Sequence, residues 1–455
     1  MNRIAKRSIT ILILIAVLMG GLVFFVVEYV NNAGQWVMHQ GSPHVYNGDN
    51  IGTGIVTDRD GLLLLNLNGQ RTYAVTRELR ESTLHWLGDR YGYISAPAVA
   101  NYAKEMAGYN SLTGLYSYSG AGQAQLTISA QLQMAALKAM DDYKGTVAVY
   151  NYKTGEILCA VSTPTYDPDD MPDVEGDTTG AYEGVYMNRF VQSVYIPGSI
   201  FKVVTTAAAL QEIPDIQQQT FTCTGTYSYG DDAVTCEYTH GTLDFYSAMA
   251  QSCNCAYAQI MDQLGSKKLS EYVKQYQVTQ PVRFDGLTTV AGNFDATSSV
   301  VDAAWSGIGQ YTDQINPCRY LTFMGAIANG GVAVEPHIVG KVTSDGSVTY
   351  EAQAKTSERI MPEEVAKTLQ EMMRNNVNVK YGAENFPGLT VCAKSGTGQV
   401  GGGQKSNAMF AGFVTDEQYP LAFIAAVEDA GYGRHVCVPI LSEILTECKA
   451  MMDRA

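Results

Sequence analysis

Ser199 and Lys202 are three residues apart in the segment Tyr195–Lys202. If a helix starts here, this spacing brings the hydroxyl and the amine onto one face, within hydrogen-bond reach. Ser199 would then lie near the positive end of the helix dipole, which favours negative charge on its oxygen and a neutral lysine. The apolar neighbours Ile200 and Phe201 would bury the amine and lower its pKa. The pair is therefore a candidate nucleophile and general base, although an N-cap serine beside a solvated lysine is the alternative.

A second candidate pair is Ser252 and Asn254, which are separated by Cys253. A hydroxyl and a carboxamide this close together can relay a proton and hold a substrate amide. Because short Ser-x-Asn sequences are common, the pair on its own is better explained by a surface turn.

The third candidate is the run Lys394–Thr397, which follows the strand-favouring residues 389–393. A lysine on an inner strand would bring positive charge to a site. Gly396 would let a substrate backbone approach the strand closely, and Thr397 could donate its backbone N–H. A similar Lys-Thr-Gly run at 153–155 lies at the tip of a predicted hairpin, so we assign it to turn formation and not to catalysis.

Patterns of apolar residues predict the elements that would position these groups. Strands are predicted at 146–150, 156–161, 408–414 and 421–427. Helices are predicted before, between and after them, at 126–140, from 199 onward, at 242–263, at 317–329 and at 439–452. Strands at both ends with helices between them predict an α+β fold with one sheet built from remote segments.

The N-terminus carries an uncharged run of 20 residues, 8–27, which is about the length that crosses a bilayer. Three basic residues precede this run and Glu28 follows it, which predicts a cytoplasmic N-terminus. A cleaved signal peptide is the alternative, but the run is longer than a signal-peptide core and no clear Ala-x-Ala site follows. We expect a single uncleaved anchor with a large external domain.

Composition narrows the class of protein. The chain has 455 residues, of which 46% are hydrophobic and only 16% charged, and this favours two or three folded domains over disorder. The formal charge of −15 leaves no basic stripe for phosphates, so we expect no nucleic-acid partner.

Cysteine and histidine spacing gives no sign of a metal site. Nine cysteines cannot all pair within one chain. Cys223 and Cys236 flank a short polar segment and could form a disulfide, or could equally be free thiols. Cys253 and Cys255 lack a second pair at zinc-like spacing, and no His-Glu-x-x-His is present. We therefore expect no metal and no cofactor.

The order of the three motifs is more informative than any one of them. Ser-x-x-Lys is followed after 53 residues by Ser-x-Asn, and after 142 more by Lys-Ser-Gly. This is the set that penicillin-binding proteins and serine β-lactamases share.

The chain resembles the transpeptidase domain of penicillin-binding proteins from residue 126 to about 430, with further similar segments at 154–168, 188–189, 306–310 and 326–331. Closer to the N-terminus, the segment Gly54–Gly61 resembles the start of the non-catalytic domain of the monofunctional, class B penicillin-binding proteins. Two segments depart from the family pattern, Asn316–Leu321 and the cysteines around Ser252.

The resemblance implies a fold and a domain order. It implies a β-lactamase/transpeptidase-like domain, with an antiparallel sheet flanked by helices and a helical subdomain, after one transmembrane helix and a small non-catalytic domain. We expect a cytoplasmic tail at 1–7, an anchor at 8–30, a non-catalytic domain at 31–125 and a transpeptidase domain at 126–455. Because 31–125 is too short for an added glycan-polymerising domain, we expect a monofunctional enzyme.

The resemblance also implies an activity, peptidoglycan D,D-transpeptidation through a serine acyl-enzyme that penicillin inhibits. The implied catalytic residues are Ser199, Lys202, Ser252, Asn254 and Lys394. The implied substrate-binding and oxyanion residues are Ser395, Gly396 and Thr397.

The implied partners are a peptidoglycan stem peptide or lipid-linked precursor, β-lactams, the bacterial cell membrane and a multi-spanning glycosyltransferase. A D,D-carboxypeptidase that uses water as acceptor is the nearest alternative. A β-lactamase of the class with a catalytic glutamate is less favoured, since no Glu-x-x-Leu-Asn segment occurs. A β-lactam sensor is also less favoured, since such sensors usually carry more membrane spans.

Overall fold

The computed structural model describes residues 3–37, 46–47, 50–51, 54–68, 70–107, 109–110, 114–115, 122–295, 299–344, 346–400 and 405–454. Within these residues the chain forms fourteen α-helices and twenty-three strands. The helices are α1 (Arg3–Val37), α2 (Arg77–Leu87), α3 (Pro97–Ala100), α4 (Ala103–Ala107), α5 (Ala130–Met140), α6 (Arg189–Gln192), α7 (Lys202–Glu212), α8 (Phe245–Ala250), α9 (Asn254–Leu264), α10 (Ser266–Gln275), α11 (Val300–Gly307), α12 (Pro317–Ala328), α13 (Glu363–Asn376) and α14 (Gly433–Met452).

The strands of the first half are β1 (Tyr46–Asn47), β2 (Asn50–Ile51), β3 (Ile55–Thr57), β4 (Leu63–Asn66), β5 (Thr72–Tyr73), β6 (Tyr109–Asn110), β7 (Gly114–Leu115), β8 (Gly122–Leu126), β9 (Gly145–Asn151), β10 (Ile157–Thr163), β11 (Thr220–Cys223) and β12 (Thr226–Tyr229). The others are β13 (Asp232–Thr235), β14 (Gly241–Asp244), β15 (Arg283–Phe284), β16 (Leu287–Thr288), β17 (Val332–Val334), β18 (Val339–Ser344), β19 (Ser347–Glu351), β20 (Thr356–Arg359), β21 (Val391–Gly398), β22 (Asn407–Val414) and β23 (Leu421–Val427).

Helix α1 contains the whole predicted anchor. Its segment Arg3–Ala33 is, within the described ranges, the one helix long and apolar enough to cross a membrane, and its most apolar stretch is not buried against the rest of the chain. At 1.5 Å per residue, its 35 residues are about 50 Å long, which exceeds a hydrocarbon core of about 30 Å. The prediction of one N-terminal apolar helix is confirmed.

A five-stranded sheet of order β10-β9-β23-β22-β21 forms the centre of the larger part of the chain. Every neighbouring pair in it is antiparallel. Two of its strands precede the helical region and three follow it, so the predicted sheet of remote segments and the α+β class are confirmed. Strand β21 lies at one edge of this sheet.

Both faces of this sheet are covered by helices. Val147 and Val149 of β9 pack in one apolar cluster with Leu441 of α14, while Ala148 and Tyr150 belong to the cluster on the opposite face. This alternation is the two-residue period of a strand. Helices α5 and α14 contact one face, and α12 and α13 contact the other. The sheet is therefore a rigid support for side chains at its edge.

A second sheet has six strands in the order β19-β18-β8-β3-β4-β5. Strands β3 and β8 are parallel, and the other neighbours are antiparallel. The proposed boundary between residues 125 and 126 falls within β8. Strands β18 and β19, from residues 339–351, join the same sheet, so the two proposed domains share it.

Two predicted helices are wrong in their bounds. The helix predicted from Leu126 begins only at Ala130, because Leu126 pairs with Val339 in the second sheet and Ser129 caps the helix by accepting from the N–H of Leu132. The closing helix, predicted from Pro439, begins six residues earlier at Gly433 and carries the proline inside it.

The helix predicted at 242–263 is interrupted, and the interruption lies at a candidate site residue. Helix α8 ends at Ala250, and α9 begins at Asn254. Ser252 lies between them with φ +55°, a left-handed conformation that no regular helix contains. The predicted helix at 317–329 corresponds to α12.

Candidate active site

Ser199 lies in a short 3-10 turn, Gly198–Phe201, that leads directly into α7. Gly198 has φ +55°, and a Cβ there would lie 2.3 Å from the carbonyl oxygen of Thr397. Its N–H donates to the Gly309 carbonyl at 2.8 Å. The turn therefore requires glycine, and it presses the Ser199 segment against strand β21. Ser199 is partly exposed, whereas Ile200 is fully buried.

The Lys202 amine is the centre of the polar contacts. Its Nζ lies 3.1 Å from Ser199 Oγ and 2.7 Å from Asn254 Oδ1. It also donates to the carbonyl oxygen of Ser252 at 2.6 Å, and lies 3.2 Å from the hydroxyl of that residue. Lys202 is fully buried, and this burial lowers its pKa to about 8. A neutral amine can therefore form near physiological pH and accept the Ser199 proton.

The left-handed backbone of Ser252 presents its hydroxyl to a second lysine. Lys394 Nζ donates to Ser252 Oγ at 3.0 Å and to the carbonyl oxygen of Ser395 at 2.9 Å. Lys394 is also buried, which lowers its pKa well below the usual value, and the charge of Lys202 lowers it further. The Ser252 hydroxyl thus connects the two amines.

The carboxamide of Asn254 is held from both ends. Its oxygen accepts from Lys202, and its nitrogen donates to the Thr235 carbonyl at 2.9 Å. Since a carboxamide nitrogen carries two hydrogens, one donor stays available for a substrate amide.

Strand β21 brings the third motif beside the nucleophile. A Cβ at Gly396 would lie 2.4 Å from the carbonyl oxygen of Pro197, so only glycine allows the strand this close to the Ser199 turn. Ser395 and Thr397 are half-buried and alternate with the buried Lys394 and Gly396. The structure therefore brings all eight predicted site residues into one cluster.

Two further side chains hydrogen-bond to the edge of β21 that faces away from β22, and neither was assigned a role from the sequence. Tyr381 accepts from the Ser395 N–H at 2.8 Å and lies 3.0 Å from the Ser395 hydroxyl. Gln310 donates to the Thr397 carbonyl at 2.9 Å. Gln310 belongs to a segment singled out by resemblance, whereas nothing marks Tyr381 among 29 tyrosines.

These contacts fix the direction of the Thr397 N–H. The Ser395 N–H and the Thr397 carbonyl both point to the outer edge of β21. Because the N–H and C=O of one strand residue point to the same side, the Thr397 N–H also points outward. The adjacent Gly198 backbone places the Ser199 turn on that side, which is the arrangement an oxyanion hole needs.

Four sulfur and nitrogen ligand atoms lie behind the Ser252 turn. Cys223, Cys236, Cys253 and His240 each contribute one, and all four atoms lie within 4.8 Å of one another. Cys223 and Cys236, which the sequence marked as a disulfide candidate, are both free thiols. These four residues are 13, 4 and 13 positions apart in the sequence, and this spacing matches no familiar metal-binding motif.

Residues 145–446 match the family model described as the penicillin-binding protein transpeptidase domain. The chain belongs to this family. Its class B assignment, the predicted fold and the enzyme class of peptidoglycan D,D-transpeptidase are confirmed.

Relatives of known name agree with this membership. The peptidoglycan D,D-transpeptidase PbpA of Mycolicibacterium smegmatis is 28% identical over 337 residues, which are 68% of either chain. A penicillin G acyl-enzyme complex of penicillin-binding protein A from Mycobacterium tuberculosis has the same fold, with a TM-score of 0.74 at 22% identity over 88% of this chain and 99% of that one. A Helicobacter pylori penicillin-binding protein, PBP2, was solved in complex with MreC. It has a TM-score of 0.64 at 20% identity, over 74% of this chain and 65% of that one.

Proposed function

We propose a catalytic cycle for this peptidoglycan D,D-transpeptidase in which Ser199 attacks the carbonyl between the two D-alanines of a stem peptide. The observation that carries it is the position of Lys202 Nζ, within 3.2 Å of Ser199 Oγ, Ser252 Oγ and Asn254 Oδ1. Lys202 in its neutral form takes the Ser199 proton as the C–O bond forms. The N–H groups of Ser199 and Thr397 stabilise the oxyanion.

Collapse of the tetrahedral intermediate breaks the peptide bond and releases D-alanine. Ser252 donates its proton to the leaving amine and recovers one from Lys202, which lies 3.2 Å away. Lys394, 3.0 Å from the same oxygen, makes that hydroxyl a better donor. An amine of a second stem peptide then attacks the acyl-enzyme, Lys202 accepts its proton, and Ser199 is regenerated.

Substrate recognition falls to the edge of β21 and to Asn254. Ser395 and Thr397 face the terminal carboxylate of the donor peptide, with Lys394 supplying positive charge. The free N–H of Asn254 donates to the acyl-side amide.

β-Lactams would acylate the same serine, since their ring carbonyl takes the place of the scissile amide. This follows from the relative that is solved as a penicillin G acyl-enzyme.

The membrane arrangement is part of the proposal. The apolar helix α1 is a single membrane span, and Arg3, Lys6 and Arg7 before it favour a cytoplasmic N-terminus. The catalytic residues would then face the cell wall, after a non-catalytic region that extends to about residue 125. The multi-spanning glycosyltransferase stays a prediction, and the PBP2–MreC complex supports protein partners for this class of enzyme.

The deciding experiment follows a fluorescent penicillin on the full chain in detergent over time. A stable one-to-one adduct on Ser199 is expected, with none on Ser199→Ala and an unchanged amount on Ser247→Ala, a half-buried serine of α8. Labelling of Ser199→Ala would overturn the nucleophile, and rapid loss of label with drug turnover would mean a β-lactamase. A second assay supplies the enzyme with a D-Ala-D-Ala donor peptide and an acceptor amine. A transpeptidase would form the cross-linked peptide, whereas a carboxypeptidase would form only the hydrolysed donor.

A further inference from the structure

Cys223, Cys236, His240 and Cys253 come from four separate places in the stretch of chain between β11 and α9. Cys223 ends β11, Cys236 follows β13, His240 precedes β14, and Cys253 precedes α9. His240 Nδ1 lies 3.5 Å from Cys223 Sγ and 3.4 Å from Cys236 Sγ. The sulfur atoms of Cys236 and Cys253 lie 3.9 Å apart. The imidazole and the three thiols therefore converge on one point.

These separations are those of a tetrahedral zinc centre. With Zn–S bonds of about 2.3 Å and Zn–N bonds of about 2.0–2.1 Å, tetrahedral angles put two sulfurs about 3.8 Å apart and sulfur and nitrogen about 3.5 Å apart. The three distances above match these values closely. A disulfide would need two of the sulfurs about 2.05 Å apart, and would leave a thiol and an imidazole unused.

We propose that Cys223, Cys236, His240 and Cys253 bind one Zn²⁺ ion. Three thiolates and one imidazole are a soft donor set, which suits zinc better than magnesium or calcium. Four protein ligands close the coordination sphere and leave no position for a water or substrate, so the ion is structural and not a reactant. Cys223 and Cys253 are buried, and the other two ligands are half-buried, which leaves a path for the metal to enter.

The surroundings of the sulfurs fit thiolate ligands. Cys253 is the N-cap of α9, and its sulfur accepts from the N–H of Ala256 at 3.4 Å. Such a donor, together with the positive end of a helix, stabilises negative sulfur.

The ion would hold the second catalytic motif in place. Cys253 lies between Ser252 and Asn254, and the Asn254 side chain donates to Thr235, the residue before Cys236. Zinc would cross-link the loop between α8 and α9 to strands β11, β13 and β14. This cross-link would stabilise the left-handed backbone of Ser252. The metal site itself does not depend on the proposed function, whereas its effect on acylation does.

Metal content tests the site directly. The full chain, purified in detergent with reduced thiols, is expected to contain one zinc per molecule by plasma mass spectrometry. Cobalt(II) in its place should give the intense visible bands of tetrahedral thiolate coordination. Cys223→Ser and His240→Ala should lose the metal, whereas Cys318→Ala, a buried cysteine of α12 outside the cluster, should keep it.

An experiment on the wild-type protein tests the proposal even if the variants do not fold. Chelation should lower its melting temperature by several degrees and slow penicillin acylation, and added zinc should restore both. Ser199→Ala should keep its zinc but lose penicillin labelling. Zinc content therefore tests the metal site, and penicillin labelling separately tests the proposed function. Absence of zinc after incubation of the reduced chain with zinc would overturn the proposal. So would a native disulfide among the three cysteines, found by thiol blocking and mass spectrometry.

Discussion

Lys202 and Lys394 direct their Nζ atoms at one oxygen, the hydroxyl of Ser252, from 3.2 and 3.0 Å. Both amines are buried, and the charge of Lys202 lowers the pKa of Lys394. Two ammonium ions this close in a buried site repel each other, so protonation of one disfavours protonation of the other. The pair can therefore supply both a base and a positive charge at the same pH.

The acylation rate should depend on pH through Lys202. Burial lowers the pKa of this amine to about 8, so the neutral base predominates above that pH and the ammonium below it. The second-order rate of penicillin acylation should rise with pH, reach a plateau above about pH 8, and fall about tenfold per unit well below it. Stopped-flow labelling from pH 6 to pH 9.5 measures this, after circular dichroism has shown the fold intact throughout. A flat profile would contradict Lys202 as the base.

Lys394→Ala should slow acylation by about 100-fold or more, because it removes the buried amine that donates to Ser252 at 3.0 Å and lies beside the proposed carboxylate site. The matched control is Lys153→Ala, in the similar Lys-Thr-Gly run at 153–155. That lysine is at the turn between β9 and β10, where it donates to Asn329 at 2.7 Å. Its labelling rate should be unchanged, and equal losses in both variants would argue against a special role for Lys394.

Gly396→Val should abolish labelling and destabilise the fold by about 1–3 kcal/mol. The reason is steric, since even a Cβ there would lie 2.4 Å from the Pro197 backbone oxygen and separate β21 from the Ser199 turn. Urea unfolding and penicillin labelling of the same preparation measure the two effects. A variant that labels at the wild-type rate would show that the close approach of these segments is not needed.

Tyr381→Phe should weaken substrate binding by a factor of about five, the value of one hydrogen bond at about 1 kcal/mol. The lost hydroxyl accepts from the Ser395 N–H and holds the Ser395 side chain, which faces the proposed carboxylate site. Saturation kinetics of acylation should show the change in the binding constant, with the limiting rate nearly constant. Tyr419→Phe, whose hydroxyl donates to Asp453 away from the site, is the control.

Local chemistry explains why much of the fold was readable in advance. The hairpin β9–β10 and the pair β22–β23 are short apolar runs around polar turns, and the signal for each pair lies within a few residues of sequence. Two helix predictions failed where a feature of the folded chain overrode the local pattern. Leu126 pairs with Val339 from a distant strand, and the left-handed Ser252 interrupts a segment that is otherwise helical.

The sequence by itself determined the Ser199–Lys202 pair, because three residues are one helical turn, and the order of the three motifs, which indicated the family. Tertiary structure alone decided that Ser252 and Lys394 meet, since a contact between residues 142 positions apart depends on how the sheet and helices pack. It also decided which tyrosine supports Ser395, and that ligands 13, 4 and 13 residues apart converge on one point. Convergence from separate loops leaves no local periodicity, so only the folded chain shows it.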